Sequence, residues 1–314
     1  MKSKKHYDVA IVGAGPTGLY AAYCCGMAGL EFCVIETLAV PGGQCEALYP
    51  DKQMYGVPGF PNIKARAFIE ILADQCLKYT KDTFFCHKVE NISKTDNGLF
   101  QIDSIINAKY IIIATGIGSM TARIPTDIIG LNTIKSDFIQ SYCMNLNLYK
   151  NKDIIIAGGG DSAIDFAITL TSIARNVTLI HRRAQFTCEP AKLNALHSSD
   201  IILSHNIIEL KEVGNTRIVK IKNIESGIVQ ELITDHIIFC YGFLPKQWAI
   251  VGLEEMGLKT HNNLIEVNLE TMETSVNDCY AAGDVITYNN KKRNIIPCFF
   301  EANRCVLAIS GKMK

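Results

Sequence analysis

Two glycine-rich turns of the same type occur in this chain of 314 residues, each between an apolar, β-branched run and a predicted helix start. At such a strand–turn–helix junction, backbone N–H groups at the start of the helix bind a pyrophosphate. The sequence therefore predicts two dinucleotide sites. The residues that define them are Gly13, Gly15 and Gly18 in the first turn and Gly158, Gly160 and Ala163 in the second.

The first turn has the full pattern of a nucleotide-binding junction. Gly13 permits the tight bend, Gly15 lets the backbone approach a phosphate, and Gly18 allows close contact between helix and strand. Glu36 closes the apolar run that follows. It lies about 20 residues past the turn, where an acid binds the two ribose hydroxyls of an unphosphorylated nucleotide.

The second turn is followed by basic residues in place of that acid. His181, Arg182 and Arg183 come directly after an apolar run. Guanidinium groups pair with phosphate in a bidentate manner, so this pattern favours the ribose 2′-phosphate of NADPH over the diol of NADH. Two dinucleotides of different kinds in one chain indicate FAD and NADPH, and hence an electron-transferring enzyme.

The repeat predicts an α/β fold with two Rossmann-like βαβ dinucleotide-binding domains, the second inserted in the first. We expect an FAD-binding domain in residues 1–115 and 241–314 and an NADPH-binding domain in residues 116–240. Apolar patterning predicts helices at residues 65–78 and 300–310. Strands are predicted at residues 88–93, 100–106, 110–116, 217–223, 228–233, 236–242 and 279–284.

Composition excludes several classes of function. The counts of basic and acidic residues are both 31, so no net field attracts nucleic acid or acidic membranes. The 12 cysteines lack a C-x-x-C or zinc-like spacing, which favours buried thiols and no metal site. The basic N-terminus followed by uncharged residues 9–30 is interrupted by Asp8 and is rich in glycine, so we expect no membrane span and a cytoplasmic protein.

Three further motifs extend the pattern over nearly the whole chain. They are residues 42–50 with the Tyr-Pro-Gly-rich loop 55–61, residues 159–163 with 181–183, and Gly283-Asp284 followed by Glu301-Ala302. Together they resemble the thioredoxin-reductase-like (type 2) ferredoxin/flavodoxin–NADP reductase family. That family is a two-dinucleotide-binding flavoprotein type.

The resemblance implies roles for particular residues. Gln44 and Tyr49 would contact FAD, with Tyr49 stacked on the isoalloxazine ring as the one candidate catalytic residue, and Asp284 would receive the polyol or phosphate end of FAD. The final helix would direct its positive N-terminus at the flavin ring. Lesser FAD contacts are implied for Thr17, Val89 and Met120, and NADPH contacts for Asp161 and Ser162.

The implied activity is electron transfer from NADPH through FAD to ferredoxin or flavodoxin, in a homodimer. A hydride would pass to flavin N5 and the electrons would then leave singly. An acidic acceptor would need a basic patch, for which Lys52, Lys64, Arg66 and residues 291–293 are candidates. Three alternatives stay open: an NADPH oxidase or quinone reductase, a disulfide reductase, and a non-catalytic redox sensor. The disulfide alternative is disfavoured because residues 141–146 contain one thiol, Cys143.

Overall fold

The computed structural model describes most of the chain, and its secondary structure alternates between strands and helices. The described residues are 5–80, 82–118, 120–134, 137–141, 146–188, 190–194, 196, 200–214, 216–245 and 252–314. The predictions for Cys143 and its neighbours 142, 144 and 145 therefore lie outside the described residues. Among those residues, no helix combines the length and the apolar composition needed to cross a bilayer.

The regular elements are numbered in chain order. The strands are β1 (Lys5–Val12), β2 (Phe32–Ile35), β3 (Gln53–Met54), β4 (Ile63–Lys64), β5 (Thr83–Phe84), β6 (Ile92–Lys94), β7 (Phe100–Ile102), β8 (Ile106–Ile113), β9 (Met120–Ala122), β10 (Ile139–Gln140), β11 (Asp153–Ala157), β12 (Asn176–Ile180), β13 (Asp200–Ile202), β14 (His205–Val213), β15 (Thr216–Asn223), β16 (Val229–Ile233), β17 (His236–Phe239), β18 (Phe243–Pro245), β19 (Thr260–His261), β20 (Leu264–Glu266), β21 (Cys279–Ala281) and β22 (Ile286–Thr287). The α-helices are α1 (Pro16–Met27), α2 (Gln44–Ala47), α3 (Ala65–Leu77), α4 (Asp161–Thr171), α5 (Pro190–Leu193) and α6 (Ile295–Lys312). Short 3₁₀ turns lie at Leu131–Thr133, Leu146–Tyr149 and Gly283–Val285.

The chain divides into two compact units. The first contains Met1–Ala47, Met54–Met120 and Pro245–Lys314, and the second contains Leu48–Gln53 and Thr121–Leu244. The sequence had placed the inserted domain at residues 116–240 and had given it no part of residues 48–53. The assignment of one cofactor to each domain stays a prediction.

The first unit is built on a 7-stranded sheet whose central strands are parallel. β1 lies between β2 and β8, and β21 pairs with β8 in the same direction. Ile11 and Ile112 are fully buried in neighbouring strands, as expected for a parallel sheet covered on both faces. The carboxyl ends of β1, β2 and β8 meet at one edge, so the residues that follow them are brought together there.

The second unit repeats this plan with a smaller sheet. Its 5-stranded parallel sheet has the order β10-β17-β11-β12-β13, and a separate 3-stranded antiparallel sheet contains β14, β15 and β16. Helix α4 packs on one face of the parallel sheet through Ala167, and Val219 of β15 belongs to the cluster on the other face. The glycine turn after β11 therefore starts from a rigid, doubly covered strand.

Some predicted elements differ from the observed ones. Helix α6 begins at Ile295, well before the predicted start at residue 300. The helix predicted at residues 65–78 is α3, which buries Ile69 and leaves Ile71 exposed. Strand β14 was missed because a register shift between Ile207 and Glu209 breaks its alternation, so that the buried residues Ile207 and Leu210 are three apart. Glu209 of that strand is paired with Lys211 at 3.0 Å and with Lys220 at 3.1 Å.

Candidate functional site

The first glycine turn can be formed only by glycine at two of its three positions. Gly13 has φ +107, and a Cβ there would lie 2.5 Å from the Ala114 carbonyl oxygen. A Cβ on Gly18 would lie 1.8 Å from the carbonyl oxygen of Gly13, so helix α1 contacts the turn with no room for a side chain. At Gly15 the nearest atom to a Cβ would be the Gly43 Cα, at 3.8 Å. The space in front of Gly15 is therefore open to a ligand.

Helix α1 presents its first turn without a competing anion. Pro16 occupies the start of the helix, no side chain caps it, and no acid lies in its first turn. Its leading N–H groups are therefore available for a phosphate, with the positive end of the helix dipole behind them.

Glu36 is held at the end of β2, beside this turn. Its carboxylate is buried, with Oε2 accepting a hydrogen bond from Ala14 N–H at 2.7 Å and Oε1 accepting one from Leu38 N–H at 2.9 Å. Each carboxylate oxygen has a second lone pair. The side chain is thus fixed in place and keeps acceptor capacity for ribose hydroxyls.

Thr115 lies at the same edge of the sheet, after β8, and the sequence analysis gave it no role. Its Oγ1 is buried and has no hydrogen-bond partner among the described residues. The Gln44 amide is close by, with Nε2 3.3 Å from where a Cβ on Gly116 would stand. A buried hydroxyl without a partner indicates a polar ligand at this position. The signal in the sequence was a threonine at the carboxyl end of a buried strand.

Asp284 follows β21 in the 3₁₀ turn Gly283–Val285. Gly283 has φ +88, and a Cβ there would lie 2.6 Å from Thr17 Oγ1, so this turn packs against the start of α1. Burial raises the pKa of Asp284, and the charges of Lys291 and Arg293 oppose that rise. The Cys298 thiol donates to Asp284 Oδ1 at 3.9 Å.

The second glycine turn follows the same steric logic. Gly158 has φ +153, and a Cβ there would lie 2.7 Å from the Cys240 carbonyl oxygen. Ala163 is fully buried against it. At Gly160 the nearest atom to a Cβ would be Thr187 Oγ1, at 3.9 Å, so this position is open.

The basic cluster after β12 separates into one buried ring and two exposed guanidinium groups. His181 is buried, stacks on Phe186 with ring centroids 5.6 Å apart, and lies where a Cβ on Gly159 would be 2.4 Å away. Burial, aided by the neighbouring arginines, lowers the pKa of His181, so the ring is neutral near pH 7. Arg182 and Arg183 are exposed.

The first turn of α4 differs from that of α1 because it contains an acid. Asp161 pairs with Lys192 at 3.1 Å, and Lys192 also pairs with the buried Asp165 at 3.0 Å. Lys52 reaches the other oxygen of Asp165 at 2.7 Å. No sequence pattern pointed to Lys192 or Asp165. Ser162 is exposed at the helix start.

The remaining predicted FAD contacts are Tyr49, Val89 and Met120, which come from separate parts of the chain. Tyr49 belongs to the Leu48–Gln53 segment of the second unit, and the Lys52 ammonium lies 5.4 Å from its ring centroid. Val89 is buried in the first unit. Met120 begins β9, and its side chain lies outside the described residues.

Two of the predicted docking cations are committed to ion pairs with buried acids. Lys52 is held by Asp165, and Lys291 is buried in an ion pair with Glu301, its side chain only 5% exposed. Runs of Lys and Arg usually lie in solvent, and here the buried acids Asp165 and Glu301 draw these two cations inward. These residues therefore do not form a docking patch.

The geometry fits both cofactors. For FAD, the first unit offers an uncapped helix, an open Gly15 and the unpartnered Thr115 hydroxyl. For NADPH, the second unit offers the open Gly160 and the buried His181 Nε2, which has no partner among the described residues. The described residues contain no cluster of three or more His, Cys, Asp or Glu side chains that can hold a metal ion.

Comparison with known proteins assigns the chain to a family. The model of the pyridine nucleotide-disulphide oxidoreductases matches residues 7–301. A ferredoxin–NADP reductase of Halalkalibacterium halodurans is 35% identical, covering 97% of this chain and 93% of that protein. A second, from Christiangramia forsetii, is 33% identical, covering 94% and 86%.

Solved structures agree with this assignment. The thioredoxin reductase of T. acidophilum superposes with a TM-score of 0.85 at 25% identity, covering 99% of both chains. The bacillithiol disulfide reductase of Staphylococcus aureus gives 0.77 at 18% identity, covering 99% of this chain and 100% of that one, which is a likeness of fold alone.

The predicted fold, resemblance and enzyme class are confirmed by these similarities. The predicted pair of cofactors, FAD and NADPH, agrees with them. The chain belongs to the pyridine nucleotide-disulphide oxidoreductase family.

Proposed function

We propose that this chain is an FAD-dependent enzyme that transfers electrons between NADPH and ferredoxin or flavodoxin. The observation that carries the proposal is the pair of unlike nucleotide turns in one chain, one beside a fixed carboxylate and one beside two exposed arginines. Relatives named ferredoxin–NADP reductases support the acceptor class. The sequence lacks a C-x-x-C pair, so the relay that a disulfide reductase needs is missing.

In the first unit, the N–H groups at the start of α1 bind the FAD pyrophosphate, and Glu36 accepts hydrogen bonds from the ribose hydroxyls. Asp284 and Thr115 lie at the same edge of the sheet and bind the remaining polar groups of FAD. FAD, when bound, supplies the capacity to accept a hydride and to release electrons singly. The protein orients the ring and excludes competing reactions, so it needs no acid–base residue of its own.

In the second unit, α4 and the turn before it bind the NADPH pyrophosphate, and Arg182 and Arg183 bind the 2′-phosphate. His181 stacks on Phe186 beneath the turn, and its buried Nε2 is left to contact the nucleotide. Lys192 neutralises Asp161, which would otherwise repel a phosphate at the start of α4.

Anaerobic stopped-flow spectroscopy tests the proposal. Protein loaded with FAD is mixed with NADPH, and the flavin absorbance should bleach rapidly. Reduction of cytochrome c should then accelerate when catalytic amounts of ferredoxin or flavodoxin are added. Rapid bleaching without that acceleration would favour a quinone reductase or oxidase, and absence of bleaching would favour a redox sensor.

The acceptor surface is proposed to include Lys292 and Arg293. Both are exposed and follow Lys291, which is itself committed to Glu301. Reversal of both charges in Lys292→Glu/Arg293→Glu should lower the ferredoxin-dependent rate about tenfold at low salt, because steering of an acidic protein depends on these charges. Flavin reduction by NADPH in the FAD-loaded variant should change less than the ferredoxin-dependent rate, because of the two residues only Arg293 acts on Asp284.

A matched control is Lys222→Glu, which changes an exposed lysine on β15 of the second unit. It should leave the ferredoxin-dependent rate within about twofold of the parent, and rising salt should remove the difference between the variants. Equal losses in the control and the double variant would rule out a specific docking patch.

Helix α6 supports the proposal of a homodimer. Its buried residues face the first unit, while Ile296, Phe300 and Leu307 are 41%, 59% and 59% exposed at helical spacing on the opposite face. Burial of such a stripe is favourable. Phe300→Glu should shift the protein from dimer to monomer in light scattering, whereas a monomeric parent would refute the proposal.

We place the enzyme in the cytoplasm, because thiols such as Cys25 and Cys305 persist in a reducing compartment.

A further inference from the structure

A buried ion pair lies directly behind the Gly283-Asp284 turn. Glu301, on α6, is 0% exposed, and the side chain of its partner Lys291 is 5% exposed. Charged residues are almost never fully buried unless they are paired. The electron-transfer chemistry proposed above uses neither residue, so the pair needs another explanation.

The carboxylate of Glu301 links three parts of the first unit. Its Oε2 accepts a hydrogen bond from the Gly283 N–H at 2.9 Å. Its Oε1 accepts one from the Tyr288 hydroxyl at 2.7 Å and one from the Lys291 ammonium. Helix α6, the segment before it and the Asp284 turn are therefore tied to a single carboxylate.

The turn that this carboxylate holds is constrained from two sides. Glu301 fixes the Gly283 amide, and Thr17 at the start of α1 occupies the space beside the Gly283 Cα. Gly283 has a positive φ, a backbone conformation that residues other than glycine rarely adopt. These two contacts hold the backbone directly before Asp284.

The charges around Asp284 are balanced by the same pair. Lys291, Arg293, Glu301 and the Cys298 thiol are the titratable groups that act on it. Without Lys291, two carboxylates would share a poorly solvated region with one cation, and like charges there disfavour each other. Lys291 thus lets Glu301 hold the turn without repelling Asp284.

We propose that Glu301 and Lys291 are positioning residues that fix and charge-balance Asp284 so that it binds FAD. This inference rests on the proposed function, in which Asp284 contacts FAD. It adds the pair that sets the geometry and charge of that contact.

The test is titration of apoprotein with FAD, followed by flavin fluorescence. Glu301→Gln and Lys291→Met should each weaken FAD binding about tenfold, because each leaves a buried charge unpaired. The double variant Glu301→Gln/Lys291→Met should return to within about threefold of the parent, because it removes both charges together. Lys222→Met, which removes the charge of an exposed lysine on β15, is the control and should bind FAD as the parent does. If the single variants bind FAD like this control, the proposal is wrong.

A second measurement separates positioning from a purely structural role. In an Asp284→Asn background, Glu301→Gln should no longer change the FAD dissociation constant, while its effect on the melting temperature of the apoprotein should persist. An undiminished effect on FAD binding in that background would overturn the proposal. Tyr288→Phe removes one hydrogen bond and no charge, and it should cost about threefold in affinity even if the charge variants fold poorly.

The outcome for the parent protein keeps the two proposals apart. A parent apoprotein that fails to bind FAD would refute the proposed function. A parent that binds FAD, with variants that do not differ from it, would refute only the role of Glu301 and Lys291.

Discussion

The two glycine turns share a scaffold and differ in charge. Each follows a central parallel strand and leads into a helix. The N-cap residue of that helix is a glycine with extended backbone, Gly15 or Gly160, and no side chain bonds to the helix start. Beside the first turn a carboxylate, Glu36, is buried and held by two backbone amides. Beside the second, the buried group is a neutral imidazole, and the charges are the exposed Arg182 and Arg183.

The difference teaches where selectivity for the nucleotide arises. The turn itself recognises only the pyrophosphate, which all dinucleotides share. The residues after the next strand meet the ribose, and a carboxylate there prefers two hydroxyls whereas guanidinium groups prefer a phosphate. The helix starts also differ, since α1 has no acid in its first turn and α4 has Asp161, neutralised by Lys192.

The largest effect is expected from the sterically closed position of the first turn. Gly18→Ala places a Cβ 1.8 Å from a backbone oxygen, so the apoprotein should lose more than about 3 kcal/mol of unfolding free energy. Gly15→Ala meets nothing closer than 3.8 Å and should lose less than about 1 kcal/mol. Its FAD affinity should nevertheless fall at least about tenfold, because the methyl group occupies the phosphate position. Denaturant unfolding and FAD titration measure the two losses, and similar stability for both variants would contradict this division.

The next largest effect is expected on NADPH binding at the second turn, with no effect on FAD at the first. Arg182→Ala/Arg183→Ala should raise the Michaelis constant for NADPH about 100-fold, through loss of two charge-assisted hydrogen bonds. The constant for NADH should change less than about threefold, and FAD content should stay unchanged. Steady-state kinetics with both nucleotides measures this. Equal losses with NADPH and NADH would show that the arginines act on something other than the 2′-phosphate.

The smallest effect concerns the buried imidazole. Because the pKa of His181 lies below its ordinary value of 6.5 in the folded protein, the unfolded chain binds a proton first as the pH falls. Stability should therefore decrease as the pH drops through 6.5, and His181→Gln should make this decrease shallower. Thermal unfolding between pH 5.5 and 7.5 measures the slope, with His6→Gln as an exposed control. His236 acts with the same sign, so part of the slope should remain.

Local sequence patterns predicted the structure well at positions where only glycine fits. Gly13 and Gly18 were assigned roles from spacing alone, and their positions in the structure leave no room for a Cβ. The helix at residues 65–78 was predicted from its apolar period and is observed as α3. Strand β14 was missed because an irregularity at Ile207–Glu209 breaks its period of two.

Charged residues were the least predictable. Lys52 and Lys291 look like surface cations in the sequence, yet each pairs with a buried acid: Asp165, far along the chain, for Lys52 and Glu301, ten residues on, for Lys291. Glu301 carried a weak signal, since an acid on the apolar face of an amphipathic helix is unusual. Lys192 carried none.

The sequence by itself determined the two turns, the strand before each and the charge that follows each one, because these depend on near neighbours and on the stereochemistry of glycine. Tertiary structure alone decided which charges are buried, that residues 48–53 belong to the second unit, and that Glu301 lies behind Asp284. Burial and pairing join residues far apart in the chain, and no local pattern specifies which partner will meet which.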